Sequence, residues 1–406
     1  MTNSGKVPSW LQALEIILDA ASVKEVETLD MTSAVGRVLA TPMVAADDFP
    51  PFDRSSVDGY AIRSADTVTP PAVLQIIGSI TAGAVSSLEI QLGQCMKVMA
   101  GAPLPSGADA VIPMELVIGK GTDIEVDETT EAGSFYIAQG AEYQKGQEVI
   151  PAGTLIGATE IGLMAQMGMQ QIHVHKAPTV ALIVTGDELV EPWVKPQPSV
   201  IRNSNAYTML TLMRQIGVAP HYLGICPDKL PAMSEKILSG MQDDLVIIVG
   251  GTAKGDKDFV RESLDNLGAE ILVDGIALKP GGTSVFARRK SCLLMSLPGP
   301  PGAMRTAFHL LVQPLLLRMM GHMDPVPVLY SGTFKGSFTK PEEVEFFLGA
   351  RAEFHDDGYV LEPSHAKAFA SWQSWTTSNA LIRIPYDMKE INDGERVSFI
   401  FTSFFQ

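Results

Sequence analysis

The chain has 406 residues, of which 46% are hydrophobic and 19% are charged, and a chain of this length supports about two to four packed domains. Its 46 acidic and 30 basic residues give a formal net charge of −16. This balance argues against nucleic acid or an anionic membrane surface as the partner, because both need clustered basic residues. Three scattered cysteines exclude a disulfide framework and lack metal-ligand spacing. No apolar run approaches the roughly 18 residues of a membrane span and no secretory signal is recognisable, so we expect a cytoplasmic protein.

The first half of the chain begins with an amphipathic helix at 8–22, where apolar residues recur at three- and four-residue spacing. Residues 24–175 then change to short strands separated by Gly/Pro turns, which is typical of a β-rich region. The exception is a helix predicted at Thr159–Met167. The predicted strands are Val73–Ile77, Cys95–Met99, Ala110–Pro113 and Phe135–Ile137.

Residues 177–322 alternate apolar strands with amphipathic helices, which predicts an open parallel sheet covered on both faces. A long helix is predicted from about Pro301 to Met320, and short strands after the linker at 324–327 predict a small β domain at the end of the chain. The predicted strands of the sheet are Val180–Val184, Pro220–Ile225, Leu245–Val249, a strand near Ile271, Ser284–Ala287 and Cys292–Leu297. The predicted helices between them are Ala206–Ile216, Leu230–Leu238 and Phe259–Leu267.

Four connections of this sheet carry residues suited to an anionic ligand. Ligands of parallel sheets bind beyond the carboxyl ends of the strands, backbone N–H groups of glycine-rich turns bind phosphate, and a helix N-terminus does the same. Each connection alone is also compatible with an ordinary polar turn, and it is their convergence on one edge that favours a site. The connections are Thr185-Gly186-Asp187-Glu188, Gly250-Gly251-Thr252-Ala253-Lys254-Gly255-Asp256-Lys257-Asp258, Lys279-Pro280-Gly281-Gly282 and Leu297-Pro298-Gly299-Pro300-Pro301. Asp256 and Asp258 are candidate ligands for Mg²⁺, which takes one or two carboxylates together with phosphate oxygens of a ligand.

One segment of the β-rich half stands apart: Phe52-Asp53-Arg54-Ser55-Ser56-Val57-Asp58-Gly59-Tyr60-Ala61. Ser55 and Asp58 have the spacing of a capping box, so one interpretation is a turn that begins a short helix. The other interpretation is a functional acid at Asp58.

Taken in chain order, these segments resemble the molybdopterin molybdenumtransferase family, which includes the bacterial molybdenum insertases and the E domain of gephyrin. The matching motifs are Phe52–Ala61, Ala100-Gly-Ala-Pro-Leu-Pro, Thr185-Gly-Asp-Glu-Leu, Ser204-Asn205, Gly250-Gly251 with Gly255-Asp-Lys-Asp258, Lys279-Pro-Gly281 and Leu297-Pro298-Gly299. They cover essentially the whole chain.

The resemblance implies an α/β multidomain fold and an elongated homodimer. It divides each subunit into a molybdopterin-binding sheet domain (1–26 and 177–325), a linking domain (27–53 and 139–176), a β-rich domain (54–138) and a C-terminal β-barrel (326–406). The β-rich domain would complete the site of the partner subunit.

The resemblance also implies an activity, in which molybdate is inserted into adenylylated molybdopterin with Mg²⁺-assisted release of AMP, and a possible contact with a molybdopterin adenylyltransferase. In this mapping Asp58, Asp187, Glu188 and Asp228 are catalytic. The metal ligands are Asp256, Asp258 and Glu188. The residues that hold the pterin and the pyrophosphate are Ser55, Gly186, Asn205, Gly250, Gly251, Gly255, Lys279, Gly281, Pro298 and Gly299.

The chain departs from the family pattern at several polar positions, and each change removes a donor, a charge or a ligand shape. One departure is Asn203, where the family resemblance leads us to expect Asp. The others are Ala100, Thr252-Ala253, Gly282-Thr283, Pro300, Leu348 and Gly140-Ala141-Glu142. Two further hypotheses therefore stand beside the active enzyme. The first is a non-catalytic or retargeted molybdopterin-binding carrier or scaffold, and the second is a hydrolase of a different nucleotide or phosphate.

Overall fold

The computed structural model describes residues 7–252, 259–364 and 372–402. The chain divides into two compact units. The larger unit comprises Met1–Thr41, Ala152–Gly162 and Gln170–Gln406, and the smaller comprises Pro42–Pro151 and Leu163–Met169. The four-domain division expected from the family resemblance remains a prediction.

The larger unit is built around a six-stranded sheet, here called the main sheet. All of its strands run parallel except Val285–Arg289, which is antiparallel to both neighbours. The sheet is therefore predominantly parallel, as predicted, with one reversed strand that enters through a short connection to Cys292–Leu297. In spatial order its strands are His221–Cys226, Val180–Thr185, Leu245–Val249, Cys292–Leu297, Val285–Arg289 and Glu270–Asp274.

Helices cover both faces of the main sheet because its strands are apolar on both sides. Leu182 and Val184 contribute to the core on one face, and Ala181 and Ile183 contribute to the core on the other. The first face packs against Trp10–Asp19, Asn205–Gln215, Pro301–Ala307 and Gln313–Met319. The second packs against Leu230–Gly240 and Phe259–Asn266. The N-terminal helix begins with a capping box in which Ser9 and Gln12 cap each other's backbone N–H groups.

The helix predicted as continuous from Pro301 to Met320 is interrupted. Phe308–Val312 forms a π-helical turn between Pro301–Ala307 and Gln313–Met319. Pro314 cannot donate a backbone hydrogen bond, and a wider turn before it accommodates that missing donor.

The last part of the larger unit is a closed five-stranded β-barrel, as expected. Its strands in order around the barrel are Glu345–His355, Gly358–Pro363, Tyr330–Phe334, Arg396–Phe401 and Ala380–Ile384, and the first and last of these pair with each other. Leu278–Lys279, a connection of the main sheet, adds in parallel to the beginning of Glu345–His355. The barrel also carries the small pair Phe338–Thr339 and Glu390–Ile391, and the helix Trp372–Thr377.

The smaller unit is organised on a separate six-stranded mixed sheet, which confirms the β-rich character predicted for this region. In spatial order its strands are Ala110–Pro113, Gly59–Ile62, Gln94–Val98, Ala72–Ile80, Asp123–Val126 and Ile118–Lys120. Short pairs join Met43–Val44 to Glu148–Ile150, and Arg54–Ser55 to Tyr136–Ile137.

The remaining elements are short. Two-stranded pairs join Val26–Asp30 to Gln171–His175, and Leu189–Val190 to Ile201–Arg202. One more helix spans Ala158–Gln166, and single 3₁₀ turns occur at Met31–Ala34, Ser64–Thr67 and Met114–Leu116. Among the described residues no helix combines the length and apolar character needed to cross a bilayer.

We predict that Trp10 stabilises the larger unit. Its indole is fully buried, donates from Nε1 to the Leu310 carbonyl at 3.2 Å, and meets the ring of Phe347 edge-on at 5.1 Å. Trp10→Ala is expected to lower the free energy of unfolding by about 3–5 kcal/mol because it leaves a large cavity. Leu11, its neighbour on the same helix, is 47% exposed. Leu11→Ala is the control and should cost about 0.5 kcal/mol or less in urea unfolding. Equal losses in the two variants would contradict the predicted packing role.

Candidate functional site

One cavity of about 1000 Å³ opens at the carboxyl ends of the parallel strands of the main sheet. The ends of Val180–Thr185, Leu245–Val249 and Cys292–Leu297 meet there because neighbouring parallel strands end at the same edge. Most of the residues selected from the sequence line it: Gly186, Glu188, Asn205, Asp228, Gly250, Gly251, Lys279, Gly281, Pro298 and Gly299.

Two strand ends are joined through Thr185 and Asp228. The Thr185 hydroxyl is buried and donates to Asp228 Oδ1 at 2.6 Å. The Asp228 N–H in turn donates to Asp187 Oδ1 at 3.1 Å. Thr185 and Asp187 therefore fix the position of Asp228, which lines the cavity. Asp187 itself is not among the lining residues.

Gly250 permits the close approach of two of the cavity loops. Its φ is +102°, and a Cβ at this position would lie 2.6 Å from the Thr185 carbonyl oxygen. That atom is backbone, so it cannot move aside as a side chain would. A glycine is required here, and the turn brings the backbone of Gly250 and Gly251 to the cavity.

Lys279 provides a cation on the opposite wall of the cavity. Its connection is attached to the barrel, because Leu278 and Lys279 pair with Glu345 and Phe346. The Lys279 ammonium forms an ion pair with Glu342, which also lines the cavity, and both side chains are about half exposed. The barrel thus places an acid beside the cavity lysine.

Asn205 begins a helix beside the cavity and holds the Pro298-Gly299 loop. Its Nδ2 donates to the Gly299 carbonyl at 2.7 Å. Its Oδ1 is buried and accepts no hydrogen bond within the described chain. An unpaired buried acceptor is costly, and a ligand N–H or O–H in the cavity would satisfy it.

Asn203 stands where the family resemblance led us to expect an acid, and it is committed to a network inside the protein. The side chain is 1% exposed, its Nδ2 donates to the Tyr222 hydroxyl at 2.8 Å, and its Oδ1 accepts from the Ala206 N–H at 3.1 Å. Tyr222 donates to Glu191 Oε1 at 2.8 Å. Burial, reinforced by Glu191, raises the pKa of Tyr222, so this tyrosine remains a neutral donor.

Two carboxylates of the sheet loops, Glu188 and Asp228, line the cavity. Mg²⁺ typically takes one or two protein carboxylates together with phosphate oxygens and water, so this pair suits a cation that arrives with a phosphate ligand. Within the ranges 7–252, 259–364 and 372–402, no three His, Cys, Asp or Glu side chains cluster as a metal site made by protein alone. Gly255, Asp256 and Asp258 lie outside the described residues.

The other selected residues, Ser55 and Asp58, belong to the smaller unit. The capping-box interpretation is wrong, since Ser55 lies in the strand Arg54–Ser55 and no helix begins there. The Ser55 hydroxyl is buried and donates to the Val57 carbonyl at 2.6 Å, so it shapes the turn. Asp58 is exposed, and its Oδ1 accepts from the Ala100 N–H at 2.8 Å. This contact ties together two of the motifs that carried the family resemblance.

Several cavity residues were not selected from the sequence. Thr185 and Asn203 sit beside selected motifs, and their polarity at the end of an apolar strand and before a helix was the available signal. Thr252 and Thr283 touch through their hydroxyls at 2.9 Å, although they are distant in the chain. Glu342 had no local signal, because only the barrel brings it to Lys279.

Two family models match successive parts of the chain. Residues 9–168 match the family model described as the MoeA N-terminal region (domain I and II), and residues 181–318 match the model described as a probable molybdopterin binding domain. In the solved structure of the molybdopterin biosynthesis MoeA protein of Pyrococcus horikoshii OT3, the superposition has a TM-score of 0.82 with 27% identity, and it covers 98% of this chain and 100% of that one.

The fold and the cavity therefore define a multidomain protein with a sheet domain of the molybdopterin-binding type. The chain is 31% identical over 379 residues to the molybdopterin molybdenumtransferase of Staphylococcus epidermidis, covering 92% of this chain and 90% of that protein. It is 34% identical over 308 residues to the enzyme of that name from a Nostoc strain, covering 74% of this chain and 71% of that protein. The chain belongs to the molybdopterin molybdenumtransferase family.

We predict that Glu342 competes with anionic ligands for Lys279. Glu342→Gln is expected to strengthen pyrophosphate binding about two- to fivefold, because an exposed ion pair is worth up to about 1 kcal/mol and must break when the lysine binds an anion. Titration calorimetry measures the change.

Glu343→Gln is the matched control, since the adjacent Glu343 pairs instead with Lys389 at 3.5 Å. Lys279→Met should weaken binding and remove the gain produced by Glu342→Gln. If Glu342→Gln and Glu343→Gln gave the same affinity, competition for the lysine would be ruled out.

Proposed function

We propose that this protein inserts molybdate into adenylylated molybdopterin and releases AMP, as a member of the pathway that makes the molybdenum cofactor. The observation that carries the proposal is the cavity at the sheet edge, where a lysine, glycine turns and two carboxylates converge in a chain of this family. Its volume of about 1000 Å³ suits a pterin dinucleotide, at the upper end of the roughly 300–1000 Å³ typical of ligand cavities.

The substrate is strongly anionic, and the cavity offers groups of the matching kind. Lys279 and the backbone of the Gly250-Gly251 turn would bind the pyrophosphate, and the Pro298-Gly299 loop, which Asn205 holds, would bind the pterin part. Cations and N–H dipoles placed in advance stabilise charge that develops on phosphate oxygens during cleavage. Hydrolysis would break the phosphoric anhydride by addition of water and yield AMP and the phosphate end of molybdopterin.

Glu188 and Asp228 would hold Mg²⁺ against the phosphate oxygens, and Asp256 and Asp258, which lie outside the described residues, complete the proposed ligand set. When bound, the cation would polarise the phosphoryl group. Thr185, which donates to Asp228, would keep that carboxylate oriented.

We also propose that the active form is a homodimer in which Asp58 of one subunit completes the cavity of the other. The exposure of Asp58 supports this, and so does its bond to the Ala100 N–H, which fixes the loop in place. An interaction with a molybdopterin adenylyltransferase belongs to the same proposal, because that enzyme class would supply the adenylylated substrate.

A second candidate function is a carrier or scaffold that binds molybdopterin without turnover. The observation in its favour is Asn203, whose amide is hydrogen-bonded to Tyr222 and to the Ala206 N–H where the family resemblance leads us to expect a charged acid. In that case the cavity would bind the pterin and release no AMP.

The two candidates separate in a single-turnover assay with adenylylated molybdopterin, molybdate and Mg²⁺. We expect AMP release by the unmodified protein and a loss of about 10²-fold or more in Lys279→Met and in Asp228→Asn, because each removes a group facing the reacting phosphates. Lys335→Met is the control, since Lys335 lies on the barrel and pairs with Glu362. Tight pterin binding without AMP release would favour the carrier.

Asp58 can be tested for function apart from folding. Asp58→Asn keeps the oxygen that accepts from Ala100 N–H, so the melting temperature should be unchanged while AMP release falls about 10²-fold or more. Asp58→Ala should lose both activity and some stability, by about 1 kcal/mol. Full activity in Asp58→Asn would remove this residue from the mechanism.

Mixed dimers test whether Asp58 acts across subunits. If each site takes Lys279 from one subunit and Asp58 from the other, Asp58→Asn and Lys279→Met are each inactive alone. A mixed dimer of the two variants then has one site with both residues intact and one site with neither. Random mixing then restores about a quarter of the unmodified activity, because half of the dimers are mixed and each has one of two sites. Absence of any recovery, with dimer exchange verified by mass spectrometry, would place both residues in one subunit.

A further inference from the structure

A second cavity of about 380 Å³ lies between the helix Asn205–Gln215, the last turn of the helix Pro301–Ala307 and the barrel. Two aromatic side chains, one cation and a set of hydroxyl and amide groups line it. The residues are Tyr207, Thr208, Thr211, Leu212, Gln215, Arg305, Trp372 and Thr402. Among the described residues its lining contains no acidic side chain, in a protein whose net charge is −16.

Arg305 is the charged group of this cavity and has no acidic partner in the described part of the chain. Its guanidinium stacks on Trp375 with 4.6 Å between the guanidinium carbon and the ring centroid, and its Nε is buried without a hydrogen-bond acceptor. Burial lowers the pKa of Arg305, yet an arginine remains protonated at any physiological pH. An unpaired, partly buried charge is costly, and a bound anion would offset that cost.

Thr402 is a second residue of the cavity lining whose side chain has an unpaired hydrogen-bonding group. The residue is 4% exposed, lines the cavity, and its hydroxyl has no hydrogen-bond partner among the described residues. By contrast, the hydroxyls of Thr208 and Thr211 already donate to carbonyls of their own helix. The Arg305 Nε and the Thr402 hydroxyl are therefore buried donors without an acceptor among the described residues, and an oxyanion is an acceptor that suits both.

The neighbouring side chains His309 and Trp372 do not compensate the positive charge of Arg305. His309, one helical turn after Arg305, is buried, and burial lowers its pKa to about 3, so it stays neutral. Trp372 Nε1 donates a hydrogen bond to the Ser204 hydroxyl at 2.8 Å, so this donor is not free, and the bond fixes the orientation of the indole ring.

We propose that this cavity is a binding site for a small organic oxyanion, a carboxylate or a phosphate monoester on a flat ring, with Arg305 and Thr402 binding the oxyanion and Tyr207 and Trp372 contacting the ring. The site is separate from the cavity at the sheet edge and does not depend on the function proposed for it. It is, however, adjacent in structure, because Ser204, which Trp372 holds, lines the larger cavity.

The test is calorimetric titration of the full chain with phenyl phosphate, benzoate, inorganic phosphate and benzyl alcohol. It is carried out in a Lys279→Met background so that the larger cavity lacks its lysine. We expect saturable binding of phenyl phosphate or benzoate, and at least about tenfold weaker binding of inorganic phosphate and of benzyl alcohol, which lack the ring and the charge respectively.

Arg305→Met should weaken binding of the aromatic anions about tenfold or more, and Thr402→Val about three- to tenfold, because each removes a donor to the oxyanion. Arg351→Met is the matched control, since Arg351 is an exposed barrel arginine that pairs with Glu353 at 2.6 Å. Arg305→Met is also expected to melt no lower than the parent, because it removes an unpaired charge from a partly buried place.

Three results would overturn the proposal. They are no saturable binding of either aromatic anion, binding of benzyl alcohol as tight as that of phenyl phosphate, or unchanged affinity in both Arg305→Met and Thr402→Val. Thr402→Val changes only one hydroxyl and keeps the assignment testable if Arg305→Met does not fold.

Discussion

The parallel pairing of Val180–Thr185 with Leu245–Val249, and of that strand with Cys292–Leu297, is the interaction on which the candidate site depends. It brings three loops from distant parts of the chain to one edge of the sheet. The loops can approach because Gly250 has no Cβ where the Thr185 carbonyl oxygen lies. The apolar strand interiors supply stability, and the polar strand ends are left free to bind a ligand.

The barrel takes part in the site through a short backbone pairing. Leu278–Lys279 extends the barrel strand Glu345–His355, so the cavity lysine is positioned by both the sheet domain and the barrel. The same arrangement places Glu342 against Lys279. The cavity also contains Glu188, Asp228 and Arg202, and we expect the affinity for anions to change about two- to fivefold with the state of this one ion pair.

Unsatisfied polar groups mark both cavities. Asn205 Oδ1 lies at the larger cavity, and Arg305 Nε and the Thr402 hydroxyl lie at the smaller one. Folded proteins leave few such groups because each costs about 1–3 kcal/mol. The residues that carry these groups line the two cavities, where a bound ligand would supply the missing partners.

The sequence by itself determined the alternation of strands and helices in 177–322, the β-rich first half, a small β domain at the end, and the motifs that identify the family, because these depend on local periodicity and turn chemistry. It did not reveal the reversed strand Val285–Arg289 or the π-helical turn at Phe308–Val312, whose causes lie in the pairing and packing of whole elements. It could not decide between a helix cap and a functional acid at Ser55–Asp58, since a Ser-x-x-Asp spacing suits a strand turn equally well. Only the tertiary structure decided that Glu342 meets Lys279, and that Arg305 stacks on Trp375 without an acidic partner among the described residues. Both findings depend on contacts with the barrel, which is distant along the chain, so no local sequence pattern reveals them.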